Sequence, residues 1–244
     1  MNRLLRVYYA GIFGALAALI AWRITESLVV TGDIYAIQAA IGAVIGGVIG
    51  AVLLSTDEWV TNRSLMRGMR GLFQGAALGA AGGAGGLALG ELVFQQSEGE
   101  LLGRVAGWAV FGMAIGAAQT LSGGLQILKG LFGGLLGGST GGLVLELSAT
   151  SLQDNSWGEA LSLMAVGAAV GLVTSAVITW LASAWLEIES GPMRGRTYFL
   201  EKYAAKKKRH GAVLGSDPWK VDIHLDGDPG VCARHAMIRR IEDH

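Results

Sequence analysis

Residues 71–90 read Gly71-Leu-Phe-Gln-Gly75-Ala-Ala-Leu-Gly79-Ala-Ala-Gly82-Gly83-Ala-Gly85-Gly86-Leu-Ala-Leu-Gly90. Two series with a step of four run through this stretch, Gly71/75/79/83 and Gly82/86/90. On a helix that step lines up bare backbone in a nearly straight groove. In water each glycine would cost the helix about 1 kcal/mol relative to alanine. In a bilayer the backbone must satisfy its own hydrogen bonds, and small residues let two helices approach closely. The stretch therefore predicts a membrane helix packed tightly against a neighbour. The same step recurs at Gly42/46/50 and Gly130/134/138/142.

The whole chain agrees with that reading. Of 244 residues 39 are glycine, 52% are hydrophobic and only 16% are charged, which excludes a disordered chain. No Gly-X-Y period suggests collagen. A formal net charge of zero argues against a nucleic-acid partner. The single cysteine, Cys232, cannot form an intramolecular disulfide. Eleven of the 19 Lys and Arg lie at or after residue 194, so the chain divides into a membrane block, residues 1–185, and a polar tail, residues 186–244.

Six apolar segments fill the first block: Val7–Trp22, Ile34–Ser55, Leu72–Phe94, Arg104–Leu121, Gly124–Leu147 and Leu161–Trp185. A span needs about 20 residues. The first follows Arg3 and Arg6 as a signal peptide would, but runs into Trp22-Arg23-Ile24 instead of a small-residue cleavage site, and reads as a retained helix. With the N-terminus inside, Arg3, Arg6, Arg63, Arg67, Arg70 and Lys129 fall on the inner side and only Arg23 and Arg104 on the outer. This predicts a multi-pass protein of the cytoplasmic membrane with both termini cytoplasmic.

The spans repeat. Gly11-Ile-Phe, Gly71-Leu-Phe and Gly130-Leu-Phe open the odd helices at nearly equal intervals, and Glu26, Glu91 and Glu146 close them. The even helices share Gly-x-x-x-Gly at Gly46/Gly50, Gly112/Gly116 and Gly167/Gly171. The simplest reading is three two-helix hairpins. Gly46, Gly50, Gly75, Gly79, Gly112, Gly116, Gly134, Gly138, Gly167 and Gly171 are the expected helix-packing positions. A glycine-lined conduit is the functional alternative. Against it, no Asp, Lys, Arg or His stands mid-span, where an ionisable group would mark a transport site.

From Trp185 the pattern alternates. Leu186-Glu-Ile-Glu-Ser190, the turn Gly191-Pro-Met-Arg-Gly195 and Arg196-Thr-Tyr-Phe-Leu200 read as strand, turn, strand. Further short strands are predicted around Ala212–Gly215, Val221–Leu225 and Val231–Ile238. The run Lys206-Lys-Lys-Arg209 reads as a solvated loop, with contact to anionic headgroups as the alternative. The histidines have no ligand spacing with Cys232. No metal site, cofactor or catalytic set is expected, and the chain does not read as an enzyme.

In Gly191 to Arg196, Leu214-Gly215-Ser216, Asp222-Ile-His-Leu225 and Val231-Cys-Ala-Arg-His-Ala236 the tail resembles a forkhead-associated (FHA) domain, in order and spacing, over about residues 185 to 240. The resemblance implies a β-sandwich whose loops at one end bind phosphothreonine peptides. It places Ser216, Cys232 and Arg234 at the phosphopeptide rim and gives Gly215 and His235 the role of holding the loops. Ser216 stands where the family has its phosphate-contacting arginine, and Cys232 where it has a serine; Arg234 is the guanidinium in that loop. The family runs on past a later Asn-Gly turn, so this tail reads as a partial domain, truncated or completed from elsewhere. The expectation is an all-α membrane bundle with a small all-β FHA-like module. Its partners would be membrane lipid and a cytoplasmic protein, phosphorylated or not, with self-association open. The implied role is a membrane anchor or scaffold; the rival is a small glycine-rich channel or transporter regulated by the tail.

Overall fold

The computed structural model describes residues 3–28, 31–62, 65–96, 101–120, 126–149, 156–200 and 212–238. Arg63, Glu98, Glu100, Leu121, Gly124, Asp154, the run 206–209, His210 and His244 lie outside the described residues. The helices are α1 (Arg3–Ser27), α2 (Ile34–Asn62), α3 (Leu65–Gln96), α4 (Leu101–Thr120), α5 (Gln126–Ala149) and α6 (Ser156–Trp180). All but α4 contain a stretch long and apolar enough to cross a membrane; the apolar part of α4 is the shorter Leu101–Ala117. This is the architecture of a helical membrane protein.

Each helix packs against its neighbours in sequence, and α6 packs against α1, so the helices close into a ring. The even helices lie inward, with α4 touching both α2 and α6. Their apolar side chains fill the middle: Ile45, Ile49 and Leu53 from α2, Phe111 and Ile115 from α4, and Leu163, Val166 and Val170 from α6. Ala17, Ala18 and Ala21 of α1 complete this core. The odd helices present residues such as Leu16, Ile20, Phe73, Leu89, Phe132 and Leu136 outward, as a lipid-facing surface requires.

The sixth helix ends at Trp180, short of the expected limit at Trp185. Its last turn closes with the Leu181 N–H on the Val177 carbonyl. Trp185 already belongs to a strand, because pairing with residues 197–199 takes over the backbone hydrogen bonds. The tail therefore begins slightly earlier than the change in composition indicates. It carries β1 (Trp185–Glu187), β2 (Thr197–Phe199), β3 (Ala212–Gly215), β4 (Ile223–His224) and β5 (Ala236–Ile238). Strands β1 and β2 form an antiparallel hairpin, while β3 is flanked by β4 in parallel and β5 in antiparallel sense. Gly191 and Gly195, at φ of 82° and 78°, make the turn between β1 and β2, a conformation that side chains with a Cβ resist. Met193, Tyr198, Ala212, Leu214 and Ile223 form the small core of the tail.

The tail sits against the end of the bundle where α1 begins. The Arg3 guanidinium lies 3.9 Å from the centroid of the Trp185 ring, and Arg6 lies 4.7 Å from that of Phe199. Lys129 at the start of α5 donates to the Leu181 carbonyl. The start of α1 and the end of α6 thus share one side of the bundle, the tail side.

Candidate functional site

Three seams hold the ring at its closest. In the first, methyl groups added to Gly42, Gly46 and Gly50 of α2 would overlap the carbonyl oxygens of Gly83, Gly79 and Gly75 of α3. In the second, Gly112 and Gly116 of α4 stand in the same relation to Gly134 and Gly130 of α5, and Gly138 meets the Trp108 carbonyl. In the third, Gly167 and Gly171 of α6 meet the carbonyls of Gly14 and Ala10 of α1. Every glycine expected to mediate packing lies in one of these seams. Gly14 and Ala10 were not expected, because alanine replaces glycine in part of the α1 groove.

The seams also set the register of the repeat. Gly75 and Gly130 are equivalent by their partners, and the interval between them equals that between Glu91 and Glu146. The Gly71-to-Gly130 interval of the Gly-x-Phe motif is longer, and misplaces these odd helices by about one turn. Its phenylalanines Phe73 and Phe132 are exposed on the lipid-facing side, where sequence is only loosely constrained.

At the far side, polar groups fasten the seams. Gln38 of α2 donates to Glu91 of α3 at 3.4 Å; Gln95 donates to the same carboxylate at 3.0 Å and accepts from Tyr35 at 2.7 Å. In the next seam Arg104 pairs with Glu146 at 3.3 Å and lies 4.6 Å from the Phe94 ring centroid. Glu26 pairs within its own helix with Arg23 at 2.7 Å. The buried polar side chains among the described residues of the bundle are hydroxyls: Ser55, Thr120, Ser162, Thr174, Ser175 and Thr179. Thr120 and Ser162 donate to the Gly116 and Gly158 carbonyls four residues back. Among the described residues no chemistry-bearing cluster lies inside the ring.

In the tail the two loops singled out from sequence do converge. Ser216 N–H donates to the Cys232 carbonyl at 3.0 Å, Asp217 N–H to Ala233 at 3.4 Å, and His235 N–H to Leu214 at 2.7 Å. Gly215 is needed there, since a methyl group would overlap the Ala233 carbonyl. Ser216, Cys232, Arg234 and His235 are all exposed. The loops are joined through backbone; the His235 imidazole makes no hydrogen bond among the described residues. It is His224 whose Nε2 lies 3.0 Å from the Ser216 carbonyl oxygen. Asp217 caps the following turn by accepting from Trp219 N–H at 3.0 Å and pairing with Lys220 at 3.3 Å. Those contacts, the Trp219 backbone first, hold its carboxyl below the ordinary 3.8 against a smaller opposing desolvation.

The bundle and its seams define a multi-pass helical membrane protein with a small β-rich tail on one side. Comparison with protein-family models, curated proteins and solved structures finds no match for this chain.

Proposed function

We propose that this chain is a six-span anchor or scaffold of the cytoplasmic membrane, not an enzyme, which recruits a cytoplasmic protein through its tail. The observation that carries this reading is the filled interior: Ile49, Phe111, Ile115, Val166 and Val170 are fully buried where a conduit would need open space. An anchor needs a rigid bundle and an accessible tail, and close glycine seams with exposed loops at Ser216 and Cys232–His235 supply both. The three seams support a triplicated hairpin. The FHA resemblance, with Gly215 at the loop contact, supports a phosphothreonine-bearing partner, and Arg234 supplies the guanidinium near Ser216 and Cys232.

Two measurements test this. Reconstituted into sealed vesicles, the protein should pass no solute above the lipid background. Flux abolished by Gly134→Leu would favour the channel reading instead. Calorimetry of the full chain should show a phosphothreonine peptide binding more tightly than its unphosphorylated form. Ser216→Arg with Cys232→Ser should strengthen the difference by about tenfold or more, one charge-assisted hydrogen bond being regained. If the phosphate is ignored by both proteins, the tail recognises something else.

A further inference from the structure

We propose that the β1–β2 hairpin is a releasable clasp on the α1–α6 seam, closing without a covalent link the one seam whose helices no direct connection joins.

The three seams are alike in backbone contact but not in connectivity. At the tail-side end of the first, α3 begins at Leu65 just after α2 ends at Asn62. At the same end of the second, α5 begins at Gln126 soon after α4 ends at Thr120. Helices α1 and α6 are not consecutive, so their seam has no such tie. Its glycine line also gives out toward the tail. The four-residue step through Gly167 and Gly171, which meet Gly14 and Ala10, continues as Ser175 and Thr179. Both are buried, and the Thr179 hydroxyl has no partner among the described residues. A buried hydroxyl left so weakens the packing around it. The tail-side end is the weak end of this seam.

The hairpin stands at that end. Only residues 181–184 separate α6 from Trp185, and Lys129 of α5 donates to the Leu181 carbonyl within them. The hairpin ladder extends past its strands. Leu200 N–H donates to the Ala184 carbonyl at 3.1 Å, and Ile188 N–H to the Arg196 carbonyl at 3.0 Å. Its register sets Trp185 opposite Phe199 and Leu186 opposite Tyr198. Side chains alternate across a strand, so the two pairs point to opposite faces. Leu186 and Tyr198 enter the core of the tail. Trp185 and Phe199 turn the other way and take Arg3 and Arg6 of α1, at 3.9 and 4.7 Å from ring centroid to guanidinium carbon. Residues one helical turn apart and residues directly opposed in a hairpin both stand about 5–6 Å apart, so the two pairs match.

A strap thus leaves α6, turns, and grips α1. Two cation–π contacts are modest in strength, so the grip can be released. Anything that engages the Trp185–Phe199 face must displace α1 first. Occupancy of that face and closure of the seam therefore oppose each other. The clasp holds whether or not the Ser216 rim binds a phosphopeptide.

The test is hydrogen–deuterium exchange, read by mass spectrometry, on the full chain in phosphatidylcholine nanodiscs. In Arg3→Gln with Arg6→Gln the amides of residues 7–14 and 171–180 should exchange roughly five- to thirtyfold faster, two such contacts being lost. Those of residues 42–50 and 75–83, in the α2–α3 seam, should be unchanged. Arg23→Gln, at the other end of α1 and paired with Glu26, should alter neither. Trp185→Leu should give the same pattern at smaller size, and combining it with Arg3→Gln should add little to either change alone. Should the doubly substituted arginine variant not fold, this Arg3–Trp185 cycle of single changes decides the matter. Faster exchange confined to residues 185–200, an equal rise in the α2–α3 seam, or simple addition in the cycle would each overturn the clasp.

Discussion

Arg104 on α4 reaches Glu146 on α5 at 3.3 Å, at the place where the previous seam has Gln38 against Glu91. The interval from Gln38 to Arg104 equals that from Gly46 to Gly112. The interval from Glu91 to Glu146 likewise equals that from Gly79 to Gly134. Polar fastening and backbone contact thus follow one register. Carried on by the interval from Gly112 to Gly167, the register takes Arg104 to Glu159 on α6, across the third seam from Glu26. An acid suits the first turn of α6, and Glu26 finds its cation in Arg23.

If the seams are equivalent, Gln38→Arg should place a guanidinium against Glu91 as Arg104 stands against Glu146. Thermal unfolding in detergent should show unchanged or raised stability, by no more than about 1 kcal/mol for a partly exposed pair. Clear destabilisation would mean that the two seams differ in geometry.

The glycines of the seams and those facing lipid should respond with opposite sign. Gly79→Ala forces a methyl group onto the Gly46 carbonyl and Gly79→Leu does so more severely, while Gly138→Leu drives a side chain onto the Trp108 carbonyl. Losses of about 1–3 kcal/mol, or more for leucine, are expected from overpacking. Gly85 has open space around it, so Gly85→Ala should be neutral or slightly stabilising. Unfolding curves of the variants, compared in one detergent, decide the matter.

Phe111 is fully buried and meets Trp108 edge-on at 5.4 Å. Phe111→Ala should cost about 3–5 kcal/mol by opening a cavity among Ile and Val side chains. A loss below about 1 kcal/mol would show that the middle of the ring is loosely packed.

The tail should loosen in acid. The folded carboxyl of Asp217 titrates below 3.8, so its contribution is present above that pH and fades as pH falls through the lower folded value. The Trp219 amide resonance, followed by NMR down an acid titration, should move with that transition. Asp217→Asn should remove the dependence; a shift that persists in this variant would assign it to another group.

The apolar runs and the four-residue glycine step made the bundle legible, because a helix in lipid has few ways to satisfy its backbone. The short strands of the tail were legible through alternation and through Gly191 and Gly195. Three features were not. The groove of α1 mixes Ala10 and Ala18 with Gly14, so composition hid it. The Gly-x-Phe echo set a false register, since lipid-facing phenylalanines bear little packing constraint. Arg3 and Arg6 read as markers of topology only, because the rings that hold them, Trp185 and Phe199, belong to the opposite end of the chain. The convergence of the loops at Gly215–Ser216 and Cys232–His235 was expected, but the choice of His224 over His235 for the loop contact depends on the register of β4, which alternation alone does not fix.

The contact between Gly14 and Gly167 also sets a timetable for synthesis. These two glycines belong to α1 and α6, whereas the partners in the other seams are separated by a single short connection. At roughly 5–20 residues per second of translation, α1 waits on the order of 10–30 s after it is made before its partner leaves the ribosome. Throughout that interval its bare backbone groove faces lipid or the insertion machinery. Closure of the ring therefore waits for α6, and a ribosome stalled before it would leave an open arc, with an unpaired edge for quality control to recognise.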